Sequence, residues 1–328
     1  MSKKVFYVGV DVGQDELWVA IKGKKAKCFR HTKYGVKSMY NWVKAESKGS
    51  QMHFCMEATG VYSESLAYDL IPRRKVEISI VNPLQIKSFG QALLRRTKTD
   101  AVDAQVILDF ARAQKPSCWE KTPKAVKELR DLVNQLDAFK ADLEKWSNRG
   151  HSQKYMKGLH RTVKSTQRGL IRYLEQQIAR LETAIKRLCG ENEQLDRNIR
   201  LLCTIPGIAF LTAIRLLAFG KHYLWNCSPK ALTAHAGLAP CHRQSGKSLR
   251  GKSHISKKGN HYLRRILFMP TQAAIRCNPQ LNKKYDQFLE NGKPKMLAIT
   301  ACMRKLLLMA QTILKKKEAF NPDILPLT

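Results

Sequence analysis

The sequence predicts an α/β N-terminal domain on a mixed sheet, a helical coiled-coil middle and a mostly α-helical C-terminal domain. Three observations carry this reading. Residues 1–115 alternate β-branched runs with helical spacings. Residues 116–202 space their apolar positions by three and four in turn. Residues 203–328 break into short helices and loops. A chain of 328 residues is long enough for two domains with real cores, and 44% apolar content makes it globular.

The elements follow in order. "KVFYVGVDV" is rich in β-branched and aromatic residues and makes a first strand. "ELWVAIKG" makes a second, with Gly13 and Gln14 in the turn between them, and "KCFRHT" a third. Gly35 to Glu46 has helical spacing, with Val36, Met39, Tyr40 and Val43 on one face. "MHFCMEA" is a buried strand, Tyr62 to Arg73 a helix, and "VEISIVN" a strand ended by Pro83. A helix from Thr99 to Ala113 closes the region. Three strands followed by strand–helix alternation imply a mixed sheet with helices layered on it.

In the middle, Leu129, Leu132, Leu136, Phe139, Leu143 and Trp146 form one heptad run. Leu174 through Ile185, Asn192 and Leu202 form another, and the polar "SNRGHSQKYMKG" makes the turn. An intramolecular hairpin and a dimer-forming coil both satisfy this pattern. Asn192 at a seam position points to a register-setting residue, and Gly190 weakens the second helix locally. Further on, Ser228 caps a helix with Pro229 at its first position. Two more helices run from Asn260 to Arg276 and from Pro294 to Lys317.

Charge narrows the function. The formal net charge is +33, and from Arg197 to Tyr285 there is no Asp or Glu. Such a charge opposes compaction, so a polyanionic partner is expected, nucleic acid before a membrane surface. Within the stretch, "APCHRQSGKSLRGKSHISKKGNHYLRR" carries eight Lys or Arg. Arg243, Lys247, Arg250, Lys252, Lys257, Lys258, Arg264 and Arg265 are therefore expected to contact phosphates. "TIPGIA" resembles one turn of a helix-hairpin-helix, with Ala209 in place of the second glycine. The nine cysteines are scattered singly with no C-x-x-C pair, which predicts reduced thiols rather than a disulfide framework or a zinc site. The longest apolar stretch, "IAFLTAIRLLAF", is interrupted by Arg215 and too short to span a bilayer. A cytoplasmic, nucleoid-associated protein is expected, without a membrane partner.

The carboxylates are scarce, so their places matter. Asp11 ends the first strand and Glu57 another, and Asp100 and Asp103 open a helix. Asp100 stands four residues before Ala104, and Asp103 four before Ile107, on the buried-side stripe marked by Ala104, Ile107, Leu108 and Ala111. Acids at a helix N-terminus are favourable in themselves. Four of them at strand-end and helix-start positions repel one another, and a divalent cation relieves that. Mg²⁺ takes such oxygen ligands together with phosphate oxygens.

"GVDVG", "MEATG" and "KTDAVDAQ" resemble the DEDD signature of a transposase family of bacterial insertion sequences, the family that includes Piv-type DNA invertases. The resemblance implies an RNase H-like (RuvC-like) N-terminal domain with Asp11, Glu57, Asp100 and Asp103 as the acidic quartet. "IPGI", "GLAP", "RQSGKS" and "SKKGNHYLRRIL" resemble the second domain of the same family, so the likeness spans nearly the whole chain. It implies a nucleophilic serine at Ser245, a composite site with the metal-holding acids, and a structured noncoding guide RNA, the bridge RNA, that pairs with donor and target DNA. The coiled coil suggests a dimer, and joining two DNA duplexes suggests a tetramer.

From chemistry alone, Ser245 is one hydroxyl among Ser248, Ser253 and Ser256, and a Ser-Gly pair is ordinary turn chemistry. Arg243, Lys247 and Arg250 can neutralise a phosphate beside it, but activation must come from outside the acid-free region. Other readings stay open: a RuvC-type metal nuclease with water as nucleophile, and a non-enzymatic nucleic-acid scaffold. An actin-like sugar kinase would need a second phosphate loop, which the sequence lacks.

Overall fold

The structure, a computed structural model, describes residues 5–94, 99–220, 227–241, 244–245, 249–250, 254–256 and 258–322. The chain divides into two compact units, Met1–Lys121 and Thr122–Thr328.

The first unit is built on one sheet. β1 (Val5–Val12), β2 (Glu16–Ile21) and β3 (Lys27–Arg30) form an antiparallel meander. After α1 (Lys33–Glu46), β4 (Gln51–Glu57) pairs parallel to β1; after α2 (Val61–Leu70), β5 (Val76–Val81) pairs parallel to β4. The strand order is β3-β2-β1-β4-β5, the mixed sheet that the sequence predicts and one compatible with an RNase H-like domain. α3 (Pro83–Ala92) and α4 (Asp100–Gln114) complete the unit. α3 is a helix that the sequence analysis does not predict between the strand ended by Pro83 and the helix at Thr99. Proline at the first helical position, behind an Asn82 side chain that accepts from Leu84 N at 2.9 Å, starts it.

The two faces of the sheet carry different helices. Val8, Val10, Phe54 and Met56 pack with Val36, Met39 and Val43 of α1 and with Leu66 and Leu70 of α2. On the opposite face, Cys55 and Val81 pack under Ile107, Phe110 and Ala111 of α4. Alternation along β1 puts Tyr7, Gly9 and Asp11 on this α4 face. The buried stripe on α4 is wider than predicted, because Val106 and Phe110 join Ala104, Ile107, Leu108 and Ala111.

The second unit is helical: α5 (Lys124–Gln153), α6 (Arg161–Glu191), α7 (Glu193–Cys203), α8 (Phe210–Gly220) and α9 (Pro229–His235). α10 (His261–Cys277), α11 (Pro279–Glu290) and α12 (Lys295–Lys316) follow the basic stretch. α5 and α6 pack antiparallel within the chain, with Lys140 on Glu182 at 2.7 Å and Gln167 Nε2 donating to Trp146 O at 2.8 Å. Leu129, Leu136 and Ile185 are buried at the base of this hairpin, while Leu143 and Trp146 are half-buried further out. The heptad run does not continue unbroken to Leu202. Asn192 is extended at φ −115°, and its side chain accepts from Leu195 N, capping α7. Asn192 is therefore a helix start, not a seam residue, and its capping bond is worth about 1 kcal/mol.

Leu136, Ile185, Leu202, Leu217, Leu232, Leu263 and Leu306 share one core, so the base of the hairpin packs with the C-terminal helices. α12 is long and apolar enough, by length and composition alone, to cross a membrane. Its Cys302, Leu306, Leu307 and Ala310 are fully buried in this core, as in a central helix of a globular unit. α11 was also missed by sequence reading. Asn278 caps it ahead of Pro279, the same start signal as α3.

Candidate active site

The site in the first unit begins with a residue that has no side chain. A Cβ added to Gly9 would stand 2.3 Å from Ala104 O and 2.4 Å from Leu108 N. Only glycine lets the α4 backbone press directly onto β1. That approach sets the height of α4, and Thr99 sets where it starts: its hydroxyl accepts from Val102 N at 3.3 Å, and its carbonyl accepts from Asp103 N at 2.8 Å. Asp100 and Asp103 thus occupy the first turn. Asp11 lies two residues beyond Gly9 on the same face of β1, toward that turn. In the parallel register Gly9 stands beside Cys55 and Val10 beside Met56. One step further, Asp11 stands beside Glu57 at the carboxyl ends of both strands.

The electrostatics show the convergence. Burial first, then the charges of Asp100, Asp103 and Glu57 in that order, push the Asp11 carboxyl from 3.8 up to about 6; a bond to Val12 N opposes them. Asp11, Glu57 and Asp103 are half-buried, while Asp100 is exposed. All four predicted acids therefore act on one location. Among the described residues, no three of them bring their oxygens within 4.8 Å of one another. They form an open acidic field rather than a tight cage. Oxygen donors in such a field fit a hard divalent cation that keeps part of its water shell and takes one or two carboxylates directly.

Two neighbours escaped the sequence reading. In the β1–β2 register Asp11 stands opposite Trp18, whose Nε1 donates to Glu16 Oε2 at 3.3 Å. Glu16 is a fifth acid on this face, and the Cys28 thiol is pushed up by burial, by Glu16 and by Asp100. The hairpin turn at Gly13 was legible, so its register could have revealed both. At the rim, His31 Nδ1 lies 2.9 Å from Gly13 O, and Tyr62 OH donates to Gln14 Oε1 at 3.2 Å.

In the second unit the basic stretch, expected as a loop, contains short ladders. β6 (Pro240–Cys241) pairs with β9 (His254–Ile255), and nested between them β7 (Gln244–Ser245) pairs with β8 (Leu249–Arg250). Ser245 stands opposite Leu249, and Arg250 opposite Gln244. The expected phosphate contacts Arg243, Lys247, Lys252 and Lys257 lie outside the described residues, as do Ser248 and Ser253. Lys258 and Arg265 are exposed, the latter with its guanidinium 5.1 Å from the Tyr262 ring. Arg264 is half-buried, and its Nη1 donates to Ala236 O at 3.0 Å, tying α10 to the end of α9. The Tyr262 hydroxyl and Arg215 both bond the Asp137 carboxylate, which raises the Tyr262 pKa through burial first and that bond second. Gly207 of "IPGI" sits at φ +98°, and a Cβ there would meet Ala274 Cβ at 2.5 Å. It locks the α7–α8 turn onto α10, which gives "TIPGIA" a packing role.

A mixed sheet of this order with acids gathered at its strand ends is compatible with the RNase H-like domain of a DEDD transposase. The profile of DEDD transposases of the IS110 type matches residues 8–158, and that of the transposase IS116/IS110/IS902 family matches residues 199–286. The chain belongs to this family of transposases, enzymes of DNA recombination, and the DEDD signature implies use of a divalent metal. It is 32% identical to a pilin gene-inverting protein of Moraxella bovis, over 99% of both chains. A pilin gene-inverting protein of Moraxella lacunata is equally similar, at 32% over 99% of both. An uncharacterized 43.6 kDa protein of insertion element IS110 from Streptomyces coelicolor is 30% identical over 32% of this chain and 26% of its own.

Proposed function

We propose that the protein is an RNA-guided DNA recombinase of an insertion sequence. In this reading Ser245 attacks a DNA phosphodiester, and Asp11, Glu57, Asp100 and Asp103 hold Mg²⁺. The observation that carries it is the convergence of four acids from three elements, where burial first and the charges of the other three acids second push Asp11 up to about 6. The functional division follows the motifs: residues 1–115 hold the acids, 116–202 the helical middle, and 203–328 the serine and its cations.

The chemistry balances without an external energy source. The Ser245 Oγ forms a bond to phosphorus as the bond from phosphorus to the leaving deoxyribose oxygen breaks. The serine proton passes to a carboxylate of the acidic cluster, in a composite site, and the leaving oxygen takes up a proton. The phosphoserine link keeps the ester energy, so rejoining is the same exchange with a different DNA hydroxyl. A bound divalent ion would lower the charge on the attacking and leaving oxygens. Exposed Lys258 and Arg265, together with Arg243, Lys247, Arg250, Lys252 and Lys257, supply sequence-independent affinity for the backbone. Arg264 joins that set only through the geometry it imposes on α10.

Ser245→Ala tests the reading. The variant is expected to bind DNA and fail to leave a covalent protein–DNA adduct after denaturation. Cutting that persists in Ser245→Ala would assign the site to a RuvC-type nuclease that uses water. The pilin gene-inverting relatives support a substrate in which a DNA segment is inverted. The guide-RNA part is read by sequencing nucleic acid copurified from cells: a defined noncoding species is expected, against random fragments. A dimer or tetramer acting in the cytoplasm at the nucleoid completes the proposal.

A further inference from the structure

A second cluster lies on the same sheet face, roughly 13 Å along β4 from Glu57. His53 on β4 stands beside Glu77 on β5, and Cys118 comes from the segment that follows α4. One ligand atom from each lies within 4.8 Å of the other two, and His53 Nδ1 is 3.7 Å from Glu77 Oε2. His53 is buried and Glu77 partly exposed, while Cys118 is exposed, so the cluster is open to solvent on one side.

The hydrogens decide how the imidazole faces this cluster. His53 Nε2 is 2.6 Å from Ser79 Oγ. The same hydroxyl is 2.7 Å from Ser117 O and 3.1 Å from Pro116 O, which can only accept. A serine has a single hydrogen, so it goes to a carbonyl, and Ser79 must accept from His53. Nε2 therefore carries the ring proton, and Nδ1 presents a lone pair to the Glu77 carboxylate. At 3.7 Å that pair is too far apart for a hydrogen bond. The Tyr7 ring lies against it, with centroids 5.2 Å apart and planes tilted by 30°. Burial lowers the His53 pKa and the Glu77 charge opposes this, while the Cys118 thiol is raised by burial, by the Glu77 charge and by the hydrogen bond it donates to that carboxylate. The Cys118 thiol gives its proton to Glu77 as a hydrogen bond, so an ion that displaces that one proton would meet a nitrogen, an oxygen and a sulfur donor gathered at one place.

A cation can take the place of that proton, since a thiol binds metal as the thiolate. Two tetrahedral ligands at Zn–N and Zn–O distances of about 2 Å stand about 3.3 Å apart. A nitrogen, a carboxylate and a sulfur together favour Zn²⁺ over Mg²⁺ or Ca²⁺. The Ser79–His53 bond is the outer contact that metal-bound histidines make. We propose that His53, Glu77 and Cys118 form a Zn²⁺ site, separate from the acidic quartet, that pins residues 115–121 across β4 and β5. Trp119 N, which donates to Ile78 O at 2.6 Å, holds the same segment from the other side of Cys118.

The test uses the full chain, stripped of metal and kept reduced, titrated with Co²⁺ and then Zn²⁺. The wild type is expected to show thiolate-to-cobalt charge-transfer absorption that Zn²⁺ abolishes, and Zn²⁺ is expected to raise its Tm. Cys118→Ser should lose the absorption and show a smaller Zn²⁺-induced rise in Tm, the remainder coming from the acidic quartet, while melting cooperatively. Ser79→Ala should weaken Zn²⁺ binding about 10–100-fold. Asp11→Asn should leave the absorption intact. No absorption in the wild type, absorption that survives Cys118→Ser, or absorption lost with Asp11→Asn overturns the site.

Discussion

Asp11 shows how much a single residue carries. Its carboxyl is pushed from 3.8 to about 6 by burial and by three acids of like charge. Between those values the unfolded chain has already released a proton that the folded one still holds. Stability of the metal-free protein therefore falls as pH rises through that window and stays low above it. Asp11→Asn removes the penalty. Discounted for partial exposure, the metal-free variant should gain about 1 kcal/mol at neutral pH, a few degrees in Tm. The same change should lower strand cleavage at least ~10²-fold, the usual cost of removing a charge-stabilising group. A melting scan with and without divalent ion checks the stability half, and a strand-cleavage assay checks the other. Metal should stabilise the wild type above pH 6 and do much less for the variant.

At the scale of elements, the acids are placed by how α4 rests on β1. Gly9 admits the helix backbone to a distance that no Cβ tolerates. Gly9→Ala should push α4 outward, at a cost of about 1–3 kcal/mol, the range for overpacked contacts. Asp100 and Asp103 would move away from Asp11 with it. Divalent-ion affinity should then fall more than stability alone explains, which titration of the folded variant would reveal. Cleavage unchanged in a destabilised Gly9→Ala protein would show that this contact serves packing only. The break at Asn192 belongs to the same scale. Heptad spacing runs through it without pause, yet capping of Leu195 N ends one helix and begins another. Periodicity reports which face is apolar, not whether the backbone is continuous.

At the scale of the whole molecule, charge dominates. A net +33 and an acid-free stretch from Arg197 to Tyr285 predict DNA affinity that falls steeply with salt. Lys258→Ala and Arg265→Ala should each reduce the slope of log K against log salt by about 1. Arg264→Ala should instead lower Tm, because its guanidinium holds the Ala236 carbonyl. Binding measured across a salt series separates the two outcomes.

Much of the first unit was legible in the amino-acid order. Alternating β-branched runs, helical spacing and the words around Asp11, Glu57, Asp100 and Asp103 are local, and local signals survive without knowledge of the fold. The caps that open α3 and α11 were equally local and were passed over. Tertiary structure alone decided the rest. The β1–β2 register brought Trp18 and Glu16 to Asp11, and the pairing of β4 with β5 set His53 beside Glu77 and the later Cys118. Spacing along the chain cannot encode such meetings, because residues far apart in order become neighbours only when strands choose partners. The sequence by itself determined the polyanion partner, the sheet and the acid quartet. Packing decided where those acids stand, which histidine nitrogen keeps its lone pair, and what lies in front of it, since each depends on distances that exist only in the folded chain.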